Sequence, residues 1–392
     1  MTLYLKRRED KRIRAGHLWI YSNEVDTKKS PLKSFQAGQC VNVLSNEGRF
    51  LGRAYVNPHS LIAARIFDDR KNINMDEEWF QGRFTQALQL REKFFDKPFY
   101  RLLFSEGDYT PGLIVDRFDN TFVLQINTAG MEAVRDALIN AIKNCFNPQQ
   151  IILRNDSASR ELEGLPRQTD VILGDADDPV WVEENNTRFK VDVINGQKTG
   201  WFYDQRVNRE NMLKLVNNNT VLDVFSYTGS WAVPAAKAGA NQVTAIDASQ
   251  QSLDTLMYNA EQNAVQDKLD TLCDDAFNAM QQLKEKNKTF DIVLIDPPAF
   301  IKRKKDLNEG LQAYIRANRM AMNLVKPGAL IISSSCSFHM SLANLQNGLL
   351  KASRKIGRQL QILNYGFQGP DHPIHPAIEE TAYLKTIIAR VN

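Results

Sequence analysis

Apolar and polar positions alternate in short runs over the first 73 residues, and glycine, proline and asparagine interrupt the runs. One such stretch, residues 39–67, reads QCVNVLSNEGRFLGRAYVNPHSLIAARIF. It contains Asn-Glu-Gly as one turn signal and Asn-Pro as a second. A period of two between turn signals is typical of short β-strands. The pattern therefore predicts a small β-rich domain over residues 1–73.

The spacing of apolar residues changes over residues 74–196. Trp79, Phe80 and Phe84 recur at the intervals that favour a helix. The next segments have the patterns of a hairpin, an amphipathic helix and two strands, and they read PGLIVDRFDNTFVLQIN, MEAVRDALINAIKNCF, QIILRND and RFKVDVING. Together these patterns predict a separate α+β middle domain.

Strand, turn and helix patterns repeat from residue 197 onward. The strand candidates include TVLDVF, QVTAIDAS, FDIVLIDPP and GALIISSSC. This rhythm predicts a parallel sheet covered by helices on both faces, so the fold class is α/β, with a Rossmann-like domain over residues 197–392. Ligands of such sheets bind beyond the carboxyl ends of the strands. Asp296 and Cys336 each end a predicted strand, and we expect them to share one cleft.

Composition narrows the class of protein. The chain has 392 residues, 43% of them hydrophobic and 24% charged, with a net charge of +3. No apolar run approaches the roughly 18 residues of a membrane span, and the basic N-terminus lacks the apolar segment of a secretory signal. We therefore expect a cytoplasmic protein without a membrane contact. The four cysteines have no CxxC spacing and no nearby histidines, which predicts neither disulfides nor a metal site.

The segment VLDVFSYTGSWAVPAAKAGA has the pattern of a strand, a turn and a helix. A dinucleotide site would have GxGxxG here, but the segment offers only Gly229 in its turn and carries Asp223 in its strand. A negative charge repels phosphate, whereas it suits a cationic ligand such as S-adenosylmethionine. A dehydrogenase is therefore a distant alternative.

Two further aspartates follow the next strands. Asp247 ends the second strand, where it could accept hydrogen bonds from a ribose, and Asp275 after the third strand could meet an adenine amino group. A single aspartate in such a place is more often a helix N-cap. Three in successive turns, followed by Asp-Pro-Pro, favour a methyltransferase.

These motifs resemble class I S-adenosylmethionine-dependent methyltransferases and, more closely, the bacterial rRNA large subunit methyltransferase I family, which methylates carbon-5 of a cytosine in 23S rRNA. The resemblance covers almost the whole chain and is carried by RAGHLWIYSNEV, PGLIVDRF, LRNDSASRELEGL, GQKTGWFYDQRVNR, LDVFSYTGSWA, DPPAF, SSSCS and DHPIHPAIEETAYLK. It implies that the β-rich domain is a PUA domain. It also implies that Gln205, Arg206 and Phe225 border the cofactor.

Cys336 lies between serines at the end of an apolar run, an unusual position for a cysteine that only fills a core. A thiolate added to carbon-6 of cytosine makes carbon-5 nucleophilic, so Cys336 is the predicted catalytic nucleophile. Its ionisation needs donors or positive charge. The candidates are Ser335, Ser337, His339 and a lysine of the basic run 302–305. Cys40, Cys145 and Cys273 lie in ordinary strand and helix patterns.

Asp296 is expected to hydrogen-bond the target base, Pro297 and Pro298 to stiffen the loop, and Phe300 to stack on the base. Another class of RNA cytosine-5 methyltransferases has a second cysteine where this chain has Pro298. Release of the product must then use another base, for which Asp296, a water molecule and Glu380 remain open.

RNA recognition is assigned to the N-terminal domain. Trp19 and Arg14 lie in or beside a run of six basic residues between Lys6 and Arg14, which combines aromatic surface with charge for phosphates. A solvated face is the ordinary interpretation of such a run.

Two other functions stay open. The first is methylation of a ring or exocyclic nitrogen of RNA, such as that of guanine, which needs no covalent nucleophile. The second is a non-catalytic rRNA-binding assembly factor that has kept the cofactor fold. The sequence does not decide the target nucleotide or the oligomeric state, and a homodimer is compatible with it.

Overall fold

The computed structural model describes all 392 residues, and the chain forms two compact units. The first comprises Met1–Val180, Asp192–Tyr203 and Pro370–Thr381. The second comprises Trp181–Val191, Asp204–Gly369 and Ala382–Asn392. The three-domain division at residues 73 and 196 remains a prediction from the sequence.

The N-terminal part of the first unit is a five-stranded sheet in the order β1-β3-β4-β5-β2. Its elements are β1 Thr2–Tyr4, α1 Lys11–Arg14, β2 Trp19–Tyr21, β3 Cys40–Leu44, β4 Phe50–Val56 and β5 Ile62–Asp68. Val41 and Val43 are buried while their neighbours in β3 are half-buried, as period two requires. Gly48 turns the chain in the left-handed region, at φ +86°.

A second five-stranded sheet, in the order β10-β9-β8-β7-β6, completes the first unit. The elements are α2 Glu77–Arg91, β6 Phe99–Phe104, β7 Leu113–Phe118, β8 Thr121–Ile126, α3 Ala129–Glu132, α4 Arg135–Phe146, β9 Gln150–Asn155, α5 Ser159–Leu162 and β10 Gln168–Leu173. Asp76 caps α2 by accepting a hydrogen bond from the amide of Trp79. Phe80 and Phe84 of α2 share one core cluster with Leu138 of α4, so both helices cover this sheet.

The second unit contains a hairpin and a seven-stranded sheet in the order β15-β14-β13-β16-β17-β19-β18. The elements are β11 Val180–Glu184, β12 Thr187–Val191, α6 Arg206–Leu213, β13 Thr220–Val224, α7 Ala232–Lys237, β14 Gln242–Asp247, α8 Gln250–Gln262, β15 Leu269–Cys273, α9 Ala276–Glu285, β16 Phe290–Ile295, α10 Leu307–Asn323, β17 Val325–Ser335, α11 Leu342–Lys355, β18 Leu360–Gly366 and β19 Lys385–Val391.

Five of these strands, β13 to β17, are parallel as predicted. The last strand differs, because β19 is antiparallel to both β17 and β18. A parallel neighbour needs a crossover connection, usually a helix, and the segment between β18 and β19 has only the short turn of 3-10 helix Glu379–Thr381. The carboxyl ends of β13 to β17 and the first residue of β19 therefore meet at one edge of the sheet.

The structure has no helix long and apolar enough to cross a membrane. The four cysteines form no disulfide, and no group of three His, Cys, Asp or Glu side chains is arranged to hold a metal ion.

Candidate active site

The turn after β13 is held in an uncommon backbone conformation. Gly229 has φ +87°, and a Cβ atom there would lie 2.7 Å from Cγ of Leu256. Phe225 and Tyr227 also have positive φ, at +70° and +48°. Such values are costly for aromatic residues and are typical of functional sites. The single glycine of the motif is therefore required by close packing against α8.

Asp223 is fully buried in β13, and neither of its carboxylate oxygens accepts a hydrogen bond of normal geometry. Burial raises the pKa of this carboxyl well above its usual range, and the charges of Asp296 and Asp247 act in the same direction. The backbone amide of Ala232 lowers the pKa, but by less than burial raises it. An unsatisfied buried carboxylate of this kind fits the ammonium group of a ligand.

Asp247 joins the ends of two neighbouring strands. Its Oδ2 accepts from the amide of Tyr227 at 2.9 Å, and its Oδ1 accepts from the amide of Ser249 at 2.9 Å. Each carboxylate oxygen has a second lone pair. The side chain thus holds the turn after β13 and can still accept hydrogen bonds from a diol.

Asp275 forms the N-cap of α9. Its Oδ1 accepts from the amides of Phe277 at 3.0 Å and Asn278 at 3.3 Å. Helix capping, the ordinary role of such an aspartate, is thus one role of this residue. A contact with adenine remains a prediction.

Gln205 and Arg206 have different partners. Gln205 donates through Nε2 to both carboxylate oxygens of Asp296 at 3.0 Å, and its Oε1 accepts from Asn208 at 2.7 Å. Arg206 donates to Glu184 of the β11–β12 hairpin at 3.3 Å. Gln205 therefore orients the aspartate of the Asp-Pro-Pro motif, a contact that the sequence did not reveal. A cofactor contact of either residue remains a prediction.

Asp296 follows directly after β16. Besides Gln205, Nε1 of Trp231 donates to its Oδ2 at 3.1 Å. Burial raises its pKa to about 6, and the charge of Asp204 adds to the rise, while the hydrogen bonds from Trp231 and Gln205 oppose it. A carboxyl with this pKa can hold or release a proton near neutral pH.

The rest of the motif forms a loop with one buried and one exposed proline. Pro297 is buried, Pro298 is exposed, and the half-buried Phe300 ring lies 4.8 Å from that of Tyr314 and 6.4 Å from that of Phe225. These are edge-on or tilted contacts between aromatic rings. Phe300 thus joins the Asp-Pro-Pro loop to the turn after β13.

Cys336 is half-buried, directly after β17. The serines beside it are part of a hydroxyl chain, in which Ser335 donates to Tyr314 Oη at 2.9 Å and Tyr314 Oη lies 3.1 Å from Ser337 Oγ. The amide of Ile301 also donates to Ser337 Oγ, at 3.3 Å. The chain therefore fixes the Cys336 loop against the loop that follows Asp296.

Lys385, the first residue of β19, pairs with Ser335 across the sheet and was not among the residues predicted from the sequence. Its buried Nζ donates to the carbonyls of Ser337 and Tyr383, both at 2.9 Å, and an ammonium has a third donor. Burial lowers its pKa to about 8, whereas the charge of Cys336 raises it. Lys385 therefore places positive charge where it acts on the Cys336 thiol.

The remaining predicted residues lie in the first unit. Trp19 donates through Nε1 to Glu106 at 2.8 Å, and Arg14 pairs with Asp10 at 3.0 Å. Arg12, in the same basic run, pairs with Glu24 at 2.7 Å. Part of the N-terminal cluster is thus neutralised within the chain, and its contact with RNA remains a prediction. Glu380, a candidate base, belongs to this unit, where its charge acts on His17.

Comparison with known families agrees with this architecture. Residues 3–69 match the model of a PUA-like domain, and residues 144–390 match the model of an S-adenosylmethionine-dependent methyltransferase. The chain is therefore a methyltransferase that uses S-adenosylmethionine and carries an N-terminal PUA-like domain. Both features were predicted from the sequence and are confirmed.

Curated relatives define the family more narrowly. Ribosomal RNA large subunit methyltransferase I of Aliivibrio fischeri is 35% identical over 396 residues, covering 100% of this chain and 99% of the relative. The enzyme of the same name from Photobacterium profundum is 34% identical and covers 98% of each chain. The chain thus belongs to the ribosomal RNA large subunit methyltransferase I family. A crystal structure of a methyltransferase-class protein complexed with SAH has the same fold, with a TM-score of 0.84, 21% identity and complete coverage of both chains.

One observation fits the site to S-adenosylmethionine. The unsatisfied carboxylate of Asp223 suits the cationic amino acid part of the cofactor. We expect Asp223 and Asp247 to hold the amino group and the ribose.

Asp223→Asn should weaken cofactor binding and should not weaken the fold. Loss of a charge-assisted contact should lower the affinity for S-adenosylmethionine by at least ~tenfold, or ~1.4 kcal/mol. Since a raised carboxyl pKa destabilises the native state increasingly as pH rises above the unfolded value, the stability gained by the variant should grow between pH 5 and pH 8. Calorimetry and chemical denaturation measure the two effects.

Asp291→Asn is the matched control, because its carboxylate lies at the opposite end of the strands. Burial alone would raise the pKa of Asp291, but hydrogen bonds from Lys326 and Thr220 hold it below its usual value. This variant should lose stability at neutral pH and bind the cofactor normally. Unchanged cofactor affinity in Asp223→Asn would refute the assignment of Asp223.

Lys385→Gln should slow the reaction of Cys336 with iodoacetamide. Without the neighbouring ammonium the thiolate forms at higher pH, so alkylation at pH 7 should fall by about three- to tenfold. Since the pKa of Lys385 is about 8, the difference should shrink as pH rises past 8. Mass spectrometry assigns the alkylated peptide. Lys326→Gln, at the other end of the sheet, should leave the pH dependence of Cys336 alkylation unchanged. An equal effect of both variants would exclude a specific role for Lys385.

Proposed function

We propose that this protein methylates carbon-5 of a cytosine in the RNA of the large ribosomal subunit, the 23S rRNA, with Cys336 as covalent nucleophile. The observation that carries the proposal is the placement of Cys336 and Asp296 after two adjacent parallel strands, with the buried Lys385 acting on the thiol. The names of the curated relatives support large-subunit rRNA as the substrate.

The need for a nucleophile follows from the chemistry of cytosine. Carbon-5 is a weak nucleophile until a thiolate adds to carbon-6 and pushes the electrons of the double bond toward carbon-5. S-adenosylmethionine supplies the methyl group. After transfer, loss of the carbon-5 proton to a base lets the Cys336 thiolate leave. Lys385 stabilises the thiolate both before addition and after release.

Asp296 acts on the ring of the base in this proposal. Addition of the thiolate places negative charge on the ring, and a protonated Asp296 can donate to N3 as that charge develops. Its pKa of about 6 allows a fraction of the carboxyl to carry this proton near neutral pH. Gln205 and Trp231 fix its orientation, and Phe300 offers an aromatic face against which the extruded base can pack.

Cys336→Ala should abolish formation of 5-methylcytosine, because the substitution removes only the nucleophile. Its affinity for S-adenosylmethionine and for RNA should stay within about twofold of the parent. The measurement is mapping of 5-methylcytosine in large-subunit rRNA after incubation with each protein. Cys273→Ala, which changes an exposed cysteine at the end of β15, serves as control and should remain active.

The same experiment separates this proposal from its alternatives. Methylation of a nitrogen needs no thiolate, so full methyl transfer by Cys336→Ala would reject the covalent mechanism. Cofactor binding by the parent with no methyl transfer to any rRNA would favour a binding role in subunit assembly.

A further inference from the structure

A concave groove of about 510 Å³ lies on the second unit, where α9, α10 and the end of α11 meet. Its lining includes four cations, Lys284, Arg316, Arg319 and Lys355, and no carboxylate. Three helices contribute them, so the cluster is invisible in the linear sequence. We call this surface the basic groove.

None of the four cations forms an ion pair, whereas other cations of the same unit do. Arg209 pairs with Glu184 at 2.5 Å, Lys326 with Asp291 at 2.8 Å, and Arg303 with Asp306 at 3.1 Å. The chain as a whole is nearly balanced, with 49 basic and 46 acidic residues. A concave surface with charge of one sign raises the local concentration of the opposite ion. Convergence of four unpaired cations therefore indicates an anionic partner.

The groove is also partly preorganised. The Arg316 guanidinium lies 4.6 Å from the ring centre of Phe277, which restrains it before any ligand binds. Asn278, Gln281 and Asn323 add amide donors. Planar guanidinium groups and amides are the usual ligands of phosphate and sugar oxygens.

The groove and the Cys336 loop both involve α10, at different heights along this helix. Tyr314 of this helix belongs to the hydroxyl chain of the Cys336 loop. Arg319 and Asn323 of the groove follow five and nine residues later, rises of ~7.5 Å and ~13.5 Å along the helix. An RNA strand that contacts both places therefore has to extend along α10.

We propose that the basic groove binds the phosphate backbone of the substrate RNA, a few nucleotides away from the cytosine at Cys336. This inference rests on the proposed RNA substrate but not on the covalent mechanism. The basic groove would be an RNA contact on the second unit, in addition to the contact predicted for the N-terminal domain.

The test is the salt dependence of RNA binding by the double variant Arg316→Gln and Arg319→Gln. Both parent and variant carry Cys336→Ala, so binding is measured without turnover, and the probes are a folded large-subunit rRNA transcript and an unrelated RNA of equal length. Each lost contact to duplex phosphate lowers the slope of log affinity against log salt by about 0.9. Between 50 and 200 mM salt, the parent should lose about tenfold more affinity than the variant.

Arg188→Gln with Lys190→Gln is the matched control. These cations also lie over aromatic rings, Trp181 and Tyr258, but on the β11–β12 hairpin. The control should keep the parent slope, and both double variants should bind S-adenosylmethionine normally. If the groove variant had the same slope of log affinity against log salt as the parent, the proposal would be overturned. A reduced slope on both RNAs would support it even if Cys336→Ala proved active in methylation.

Discussion

Three charged side chains at one edge of the seven-stranded sheet are held in surroundings that oppose their charge. Burial raises the pKa of Asp223 and Asp296 and lowers that of Lys385. Contact with water would remove the free-energy cost of charging these buried groups. Packing and a few directed hydrogen bonds therefore have to keep water away from them and hold them in place. The same costs make the groups useful, because an unsatisfied carboxylate attracts a cation and an ammonium with a lowered pKa is poised beside a thiol.

The parallel strands explain how these groups come together. Asp223 lies in β13, Asp296 follows β16 and Cys336 follows β17, and these three strands are neighbours in the sheet. Lys385 joins them from the opposite direction, because β19 runs antiparallel to β17. The hydroxyl chain through Tyr314 then ties the loops after β16 and β17. Strand direction thus brings the cofactor side and the thiol side of the site to one edge.

Much of this arrangement could be predicted from the sequence. The rule that ligands bind beyond the carboxyl ends of parallel strands locates Asp223, Asp247, Asp296 and Cys336 without coordinates. Lys385 could not be found that way, since its position depends on one antiparallel strand at the end of the chain. The bond from Gln205 to Asp296 and the convergence of cations in the basic groove also depend on tertiary packing. Asp275 shows the reverse case, in which an ordinary helix cap carries the same sequence signal as a ligand.

The proposed methyl transfer requires a covalent bond between Cys336 and cytosine. Large-subunit rRNA with 5-fluorocytosine at the target position should trap the enzyme after methyl transfer, because fluorine cannot leave as a proton does and the thiolate cannot be expelled. Mass spectrometry of the trapped protein should locate the RNA on the peptide that contains Cys336. Methylated RNA with no adduct, or an adduct on Cys40, Cys145 or Cys273, would contradict the account.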